Sequence, residues 1–151
     1  MVQGDAANRF WAEKALVALL RVVGLLELSA LAAVFFPTPW MEAIHAAAGL
    51  GSFPQAVLTQ YLARSLSLMY AFHGAIVFYL SFHVRQHLAV VRLLGWLTVA
   101  AGVLMLGLDS WAGMPRPWTL AEGPSIAAIG LGMGLLSVRV GRLLDASPGG
   151  R

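Results

Sequence analysis

The chain has 151 residues, of which 59% are hydrophobic and only 11% charged, and it carries a net charge of +3. About a quarter of a soluble domain is charged, so this balance excludes a water-soluble globule and calls for a lipid bilayer as partner. Its basic residues are scattered beside hydrophobic ends rather than gathered in a patch, which argues against nucleic acid, and the absence of cysteine excludes disulfides, thiolate metal sites and redox dithiols.

Met1 to Glu13 reads as a short cytoplasmic lead with Phe10 and Trp11 at the headgroup level. The first transmembrane helix is expected over about 14–36, because the apolar run from Ala15 to Phe36 is what a helix needs to cross a bilayer. Lys14 ahead of this run and Ala30-Leu31-Ala32 within it resemble a signal peptide and its cleavage site. Arg21 and Glu27 interrupt the segment, however, and an uncleaved helix is expected. Pro37 and Pro39 stop the helix. Thr38 is then placed to cap a short outer interfacial helix over about 39–49, with Trp40, Ile44 and Ala48 at helical spacing and Gly49 and Gly51 ending it.

A second span is expected over about 56–84, longer than a bilayer demands and so tilted or protruding. The brief connection Arg85-Gln86-His87 leads into a third span over about 90–110 and makes these two helices an antiparallel neighbouring pair. Trp111 to Thr119, rich in aromatic residues and proline, reads as an ordered interfacial loop that serves as a belt or a lid. Pro124 marks the edge of a fourth span over about 124–141, and Leu143 to Arg151 reads as a disordered tail. The expected fold is all-α, a single four-helix transmembrane domain. Arg9, Lys14, Arg85, Arg92, Arg139 and Arg142 fall on one side of it and Arg116 on the other, so the positive-inside rule places both termini in the cytoplasm.

Glu27 and His73 both fall near the midplane, where an ionisable group is expensive unless a partner or a wet cavity compensates. With Tyr70, they are the candidate ligand-binding residues. A carboxylate and an imidazole at one depth can share a proton, hold the polar head of a lipophilic ligand, or simply clamp two helices by a hydrogen bond. Arg64 and Asp109, at similar depth on the outer side, form a candidate structural ion pair, or are exposed at the outer interface. Arg64 and His73 are nine residues apart and lie on opposite faces of one helix. Arg21 is expected to snorkel to the cytoplasmic headgroups.

His83 and His87 have i, i+4 spacing without further ligands nearby, and no other span offers a histidine to face His73, so neither a metal nor a haem is expected. Gly130 and Gly134 form a GxxxG helix-packing spacing, whose partner is a helix of the same chain or of a second protein. Phosphate-binding loops, HExxH, nucleophile elbows and paired catalytic carboxylates are all missing, which leaves hydrolase and nucleotide-driven activities without support.

Four helices with cytoplasmic ends, an acid in the first and a conspicuously polar second helix together resemble the small bacterial DoxX-like membrane proteins. The resemblance covers helix order and spacing across most of the chain. It implies a bacterial inner-membrane location and a link to quinone-related redox partners. Three functions are therefore carried forward: a non-catalytic accessory subunit packed in a larger membrane assembly or homo-oligomer, a binder of a quinone, lipid or sterol-like ligand at Glu27 and His73, and a small proton-coupled carrier.

Overall fold

In the computed structural model the described residues are 2–146, with side chains from Ala7 onward. They form six helices and no strand: α1 (Val2–Leu28), α2 (Ala30–Val34), α3 (Thr38–Ala47), α4 (Val57–Leu80), α5 (Leu88–Ala112) and α6 (Arg116–Asp145). α1 and α2 are nearly continuous. Ser29 keeps helical dihedrals between them, and its hydroxyl donates to the Leu26 carbonyl at 2.6 Å, a back-bond that competes with the helical ladder. Three stretches are long and apolar enough to cross a membrane: Ala7–Val34, Leu88–Ala112 and Arg116–Asp145. α4 has 24 residues, a length of about 36 Å, but Arg64, Ser65, Ser67 and His73 dilute its apolar content.

Several expected boundaries move, each for a local reason. α1 is helical from Val2, so the supposed lead belongs to the helix; its alanines, Glu13 and Lys14 are all good helix formers. Thr38 is the first residue of α3 and not its cap, which is Pro37. The Thr38 hydroxyl instead lies 3.5 Å from Gln60 Oε1. Gly49 and Gly51 end this segment as expected, both with positive φ. α4 stops at Leu80 and gives way to turns over 81–87.

The largest shift is at α6, which begins at Arg116 rather than Pro124. Pro115 and Pro117 occupy the cap and first turn, where a missing N–H costs nothing, and Pro124 is carried inside the helix. α5 closes on Gly113, whose φ of 70° lets the Gly113 and Met114 amides reach the Ser110 and Asp109 carbonyls. The expected interfacial loop therefore shrinks to Gly113–Pro115, which is too short for a lid. Leu143 to Asp145, read as tail, are helical, while residues 147–151 of that tail lie outside the described residues.

The helices stand in an open row in the order α4, α1, α6, α5. α4 does not pack along α5, which corrects the expectation that a short connection makes them neighbours. Glycine decides the order. Gly95 and Gly102 on α5 face Gly123 and Gly130 on α6, and each pair is seven residues apart, so each shares one helix face. A Cβ built on Gly130 would stand 2.5 Å from the Val99 nitrogen and 2.7 Å from the Gly95 carbonyl oxygen. The GxxxG spacing is thus spent within the chain: Gly130 admits the α5 backbone, and Gly134 admits the Trp96 indole.

Burial concentrates toward the end that carries Val2, the 81–87 turns and Asp145, called here the termini end. Leu16 and Leu20 of α1, Val77 of α4, Val91 of α5, and Met133 and Val140 of α6 are fully buried there. Toward the α3 end the row opens. Only 17% of the apolar windows of Ala7–Val34 and of α5, and 28% of that of α6, is buried inside the protein. The uncovered faces bear Leu26, Phe72, Leu97, Leu104 and Leu135, surfaces suited to hydrocarbon rather than water.

Substituting Gly130 by alanine should force α5 and α6 apart and cost on the order of 1–3 kcal/mol, the range for overpacking a tight contact. Gly107→Ala, where a Cβ meets nothing within 4 Å, should be close to neutral. Reversible unfolding of both variants in mixed micelles measures the difference, and equal stability would contradict the glycine contact.

Candidate functional site

Ala12, Leu16, Leu20 and Val23 form a buried stripe along α1 with helical spacing. Glu27 continues that stripe by one more turn. Facing it on α4, Val77 and Leu80 are buried, and His73 stands one turn before Val77. The two ionisable residues thus sit where the packed half of the row gives way to its open half. What lets them meet is a second glycine contact. A Cβ on Gly74 would lie 2.5 Å from the Leu28 nitrogen and 2.7 Å from the Gly24 carbonyl oxygen, and one on Gly24 would lie 2.6 Å from the Phe78 nitrogen.

At this crossing His73 Nδ1 lies 2.7 Å from Glu27 Oε2. With the carboxylate ionised, Nδ1 carries the proton and donates it, and Nε2 is left as the free ring nitrogen. Nε2 has no partner among the described residues. The Glu27 side chain is 23% exposed and that of His73 42% exposed, so the pair is open to whatever borders the row. Tyr70, three residues before His73, shares its helix face. It is itself exposed and lies within electrostatic reach of both Glu27 and Glu122. Glu122 in turn accepts a 2.5 Å hydrogen bond from the Trp118 indole nitrogen one turn earlier on α6. Glu27, His73 and Tyr70 are therefore brought to one neighbourhood.

Arg64 and Asp109 are not. Arg64 donates to the Val34 carbonyl at 2.5 Å and to the Phe36 carbonyl at 3.0 Å, capping the carbonyl end of α2 with a cation as a helix dipole favours. Asp109 is 4% exposed, its Oδ2 has no hydrogen-bond partner, and its helix packs along α6. The expected ion pair does not form because α1 and α6 stand between α4 and α5. Arg64 instead ties α4 to the end of the first span.

Arg21 lies with its guanidinium carbon 5.0 Å from the Phe82 ring centre, an aromatic contact in place of simple snorkelling. His83 stacks on Tyr79 at 4.6 Å, with Nδ1 3.3 Å from the Tyr79 carbonyl, and the His87 ring lies 6.3 Å away. Among the described residues no three histidine, aspartate or glutamate side chains are grouped to hold a metal. Beside the termini end, Arg85 binds Glu13 through two parallel hydrogen bonds of 2.7 and 2.8 Å. Those bonds, and then the carboxylate charge itself, push the guanidinium pKa above its ordinary value.

Gly24 and Gly74 are the site residues that sequence reasoning missed. Their signal was available: each lies within one turn of the ionisable residue it admits, at i+3 and i−1. Comparison of the chain with protein-family models, curated proteins and solved structures finds no match.

A double-mutant cycle on Glu27→Leu and His73→Phe should give a coupling of about 0.6–1.7 kcal/mol, the span for hydrogen bonds between membrane helices. Folding in micelles reads it. Strictly additive single-variant losses would mean that the two side chains do not interact.

Proposed function

We propose that the chain binds a lipophilic small molecule with a hydrogen-bonding oxygen head, of the quinone, lipid or sterol-like kind, at Glu27, His73 and Tyr70. The observation that carries this reading is the free Nε2 on a half-exposed imidazole whose other nitrogen is fixed by a carboxylate. A ligand hydroxyl that donates to Nε2, or a ligand carbonyl or hydroxyl that accepts from the Tyr70 hydroxyl, gains a hydrogen bond that hydrocarbon cannot supply. Its apolar body would lie on the open half of the row, against side chains such as Leu66 and Met69 that already face outward. Lipophilic sites pair a few placed polar groups with an apolar wall in this way.

The reading includes a fourth span. α4 is long enough to cross, Arg64 spends its charge on carbonyls at one end, and His73 is paired, so the polar residues that lower its hydropathy are compensated. Four spans return both termini to one side, and the positive-inside rule makes that side the cytoplasm. The resemblance to DoxX-like proteins supports a bacterial inner-membrane setting and a quinone as the first ligand to try.

A second reading, an accessory subunit of a larger assembly or homo-oligomer, rests on a different observation. α4 packs along α1 and α2 at one edge of the row, and it presents Leu58, Leu62, Phe72 and Ile76 outward. The GxxxG spacing, which first suggested such a partner, now supports it less because α5 occupies Gly130. A proton-coupled carrier gains least, since no specific observation favours it.

Protein purified from native membranes should retain a small lipophilic molecule detectable by mass spectrometry of its extract. Replacing His73 by phenylalanine should reduce that retention at least tenfold, about 1.4 kcal/mol, and Tyr70→Phe should reduce it less. Retention unchanged in His73→Phe would remove the site; an intact complex with other subunits and no ligand would favour the second reading.

A further inference from the structure

Away from the Glu27–His73 pair, at the termini end, α1 and the 81–87 turns enclose an open groove flanked by Lys14, Arg21 and Arg85 and floored by Val17 and Val22. Its one acid, Glu13, has both carboxylate oxygens committed to Arg85. Lys14 and Arg21 have no carboxylate partner among the described residues. Lys14 Nζ sits 4.1 Å from the Phe10 ring centre and 5.8 Å from that of Trp11, and Arg21 sits over Phe82 at 5.0 Å. Such contacts orient a cation over an aromatic face without neutralising its charge. Two uncompensated positive charges therefore border a groove whose remaining α1 lining, Val17, Ala18 and Val22, is apolar.

Lys14 and Arg21 are seven residues apart on one helix, about two turns or roughly 10.5 Å along α1, and side chains of that length can converge on one group between them. Below that point the surface is apolar and belongs to a stretch long and apolar enough to cross a membrane. We infer that this groove is a binding site for one anionic phospholipid, its phosphate diester held between Lys14 and Arg21 and an acyl chain laid along Val17 and Val22. Charge selects the occupant. A zwitterionic lipid brings its own ammonium into a groove that already holds three cations, whereas an anionic one supplies the missing counter-charge. Soluble phosphate offers the charge but nothing for the apolar lining. The site shares no residue with the Glu27 pair and does not depend on its function.

The test uses the full chain in neutral detergent, titrated with phosphatidylglycerol or phosphatidylcholine and read by native mass spectrometry. Lys14→Gln with Arg21→Gln should weaken phosphatidylglycerol binding roughly thirty-fold, at about a kilocalorie for each basic residue near a charged lipid surface, and leave phosphatidylcholine unchanged. The paired control Arg139→Gln with Arg142→Gln, at the same end but outside the groove, should change binding less than about twofold. The charge-conserving exchange Lys14→Arg with Arg21→Lys should retain it. Equal losses in the control would show only diffuse charge at this end, and displacement of the lipid by millimolar inorganic phosphate would show that no acyl contact contributes; either result overturns the proposal.

Discussion

Between hydrocarbon and an apolar side chain there is no water to expel, so helices in a bilayer are not pressed together by the hydrophobic effect and must gain their contact from close packing and hydrogen bonds. This chain meets that constraint by leaving out side chains at two crossings. At one, Gly95, Gly102, Gly123 and Gly130 let α5 and α6 approach until backbone meets backbone. At the other, Gly24 and Gly74 do the same for α1 and α4. The second crossing sets the distance between Glu27 and His73. A methyl group at either glycine would widen it, and the 2.7 Å bond would be lost with the helix contact.

Depth along a helix is legible in a sequence because each residue adds a fixed rise. Counting therefore put Glu27 and His73 at one level, as it did Arg64 and Asp109. Counting says nothing about which helices are neighbours. The first pair meets because α1 and α4 adjoin; the second does not, because the row inserts α1 and α6 between their helices. Neighbour order here rests on the azimuth of single glycines, and the expectation drawn from a short connection pointed the other way. The seven residues of the 81–87 turns are enough to let α4 and α5 part.

Proline misled at α6 for a related reason. A proline cannot donate to the turn before it, yet in an apolar setting a long helix has no water to take up freed backbone groups if it breaks, so continuing is the smaller cost. Pro124 is accordingly absorbed, while Pro115 and Pro117 fall at the start, where the helix has no use for their N–H groups. The consequence reaches the site. Because α6 runs on toward the α3 end, Trp118 and Glu122 stand on a helix rather than on a loop, with Glu122 within electrostatic reach of Tyr70.

Polar groups toward the α3 end are otherwise settled locally. Arg64 is spent on two carbonyls of the first span, Glu122 on Trp118, and Glu42 on Gln55. Two unpartnered polar atoms contrast: Asp109 Oδ2, which is buried, and His73 Nε2, which is not. They differ in what can reach them. Asp109 is sealed where α5 packs on α6, and nothing in the structure explains its unpartnered oxygen. His73 is open on its free side and rigidly held on the other, so a ligand bonding there pays little to order the ring and displaces only hydrocarbon. Of the two, only the imidazole couples an unmet hydrogen bond to an accessible apolar surface, and that coupling is why the proposed ligand is assigned to His73 and not to Asp109.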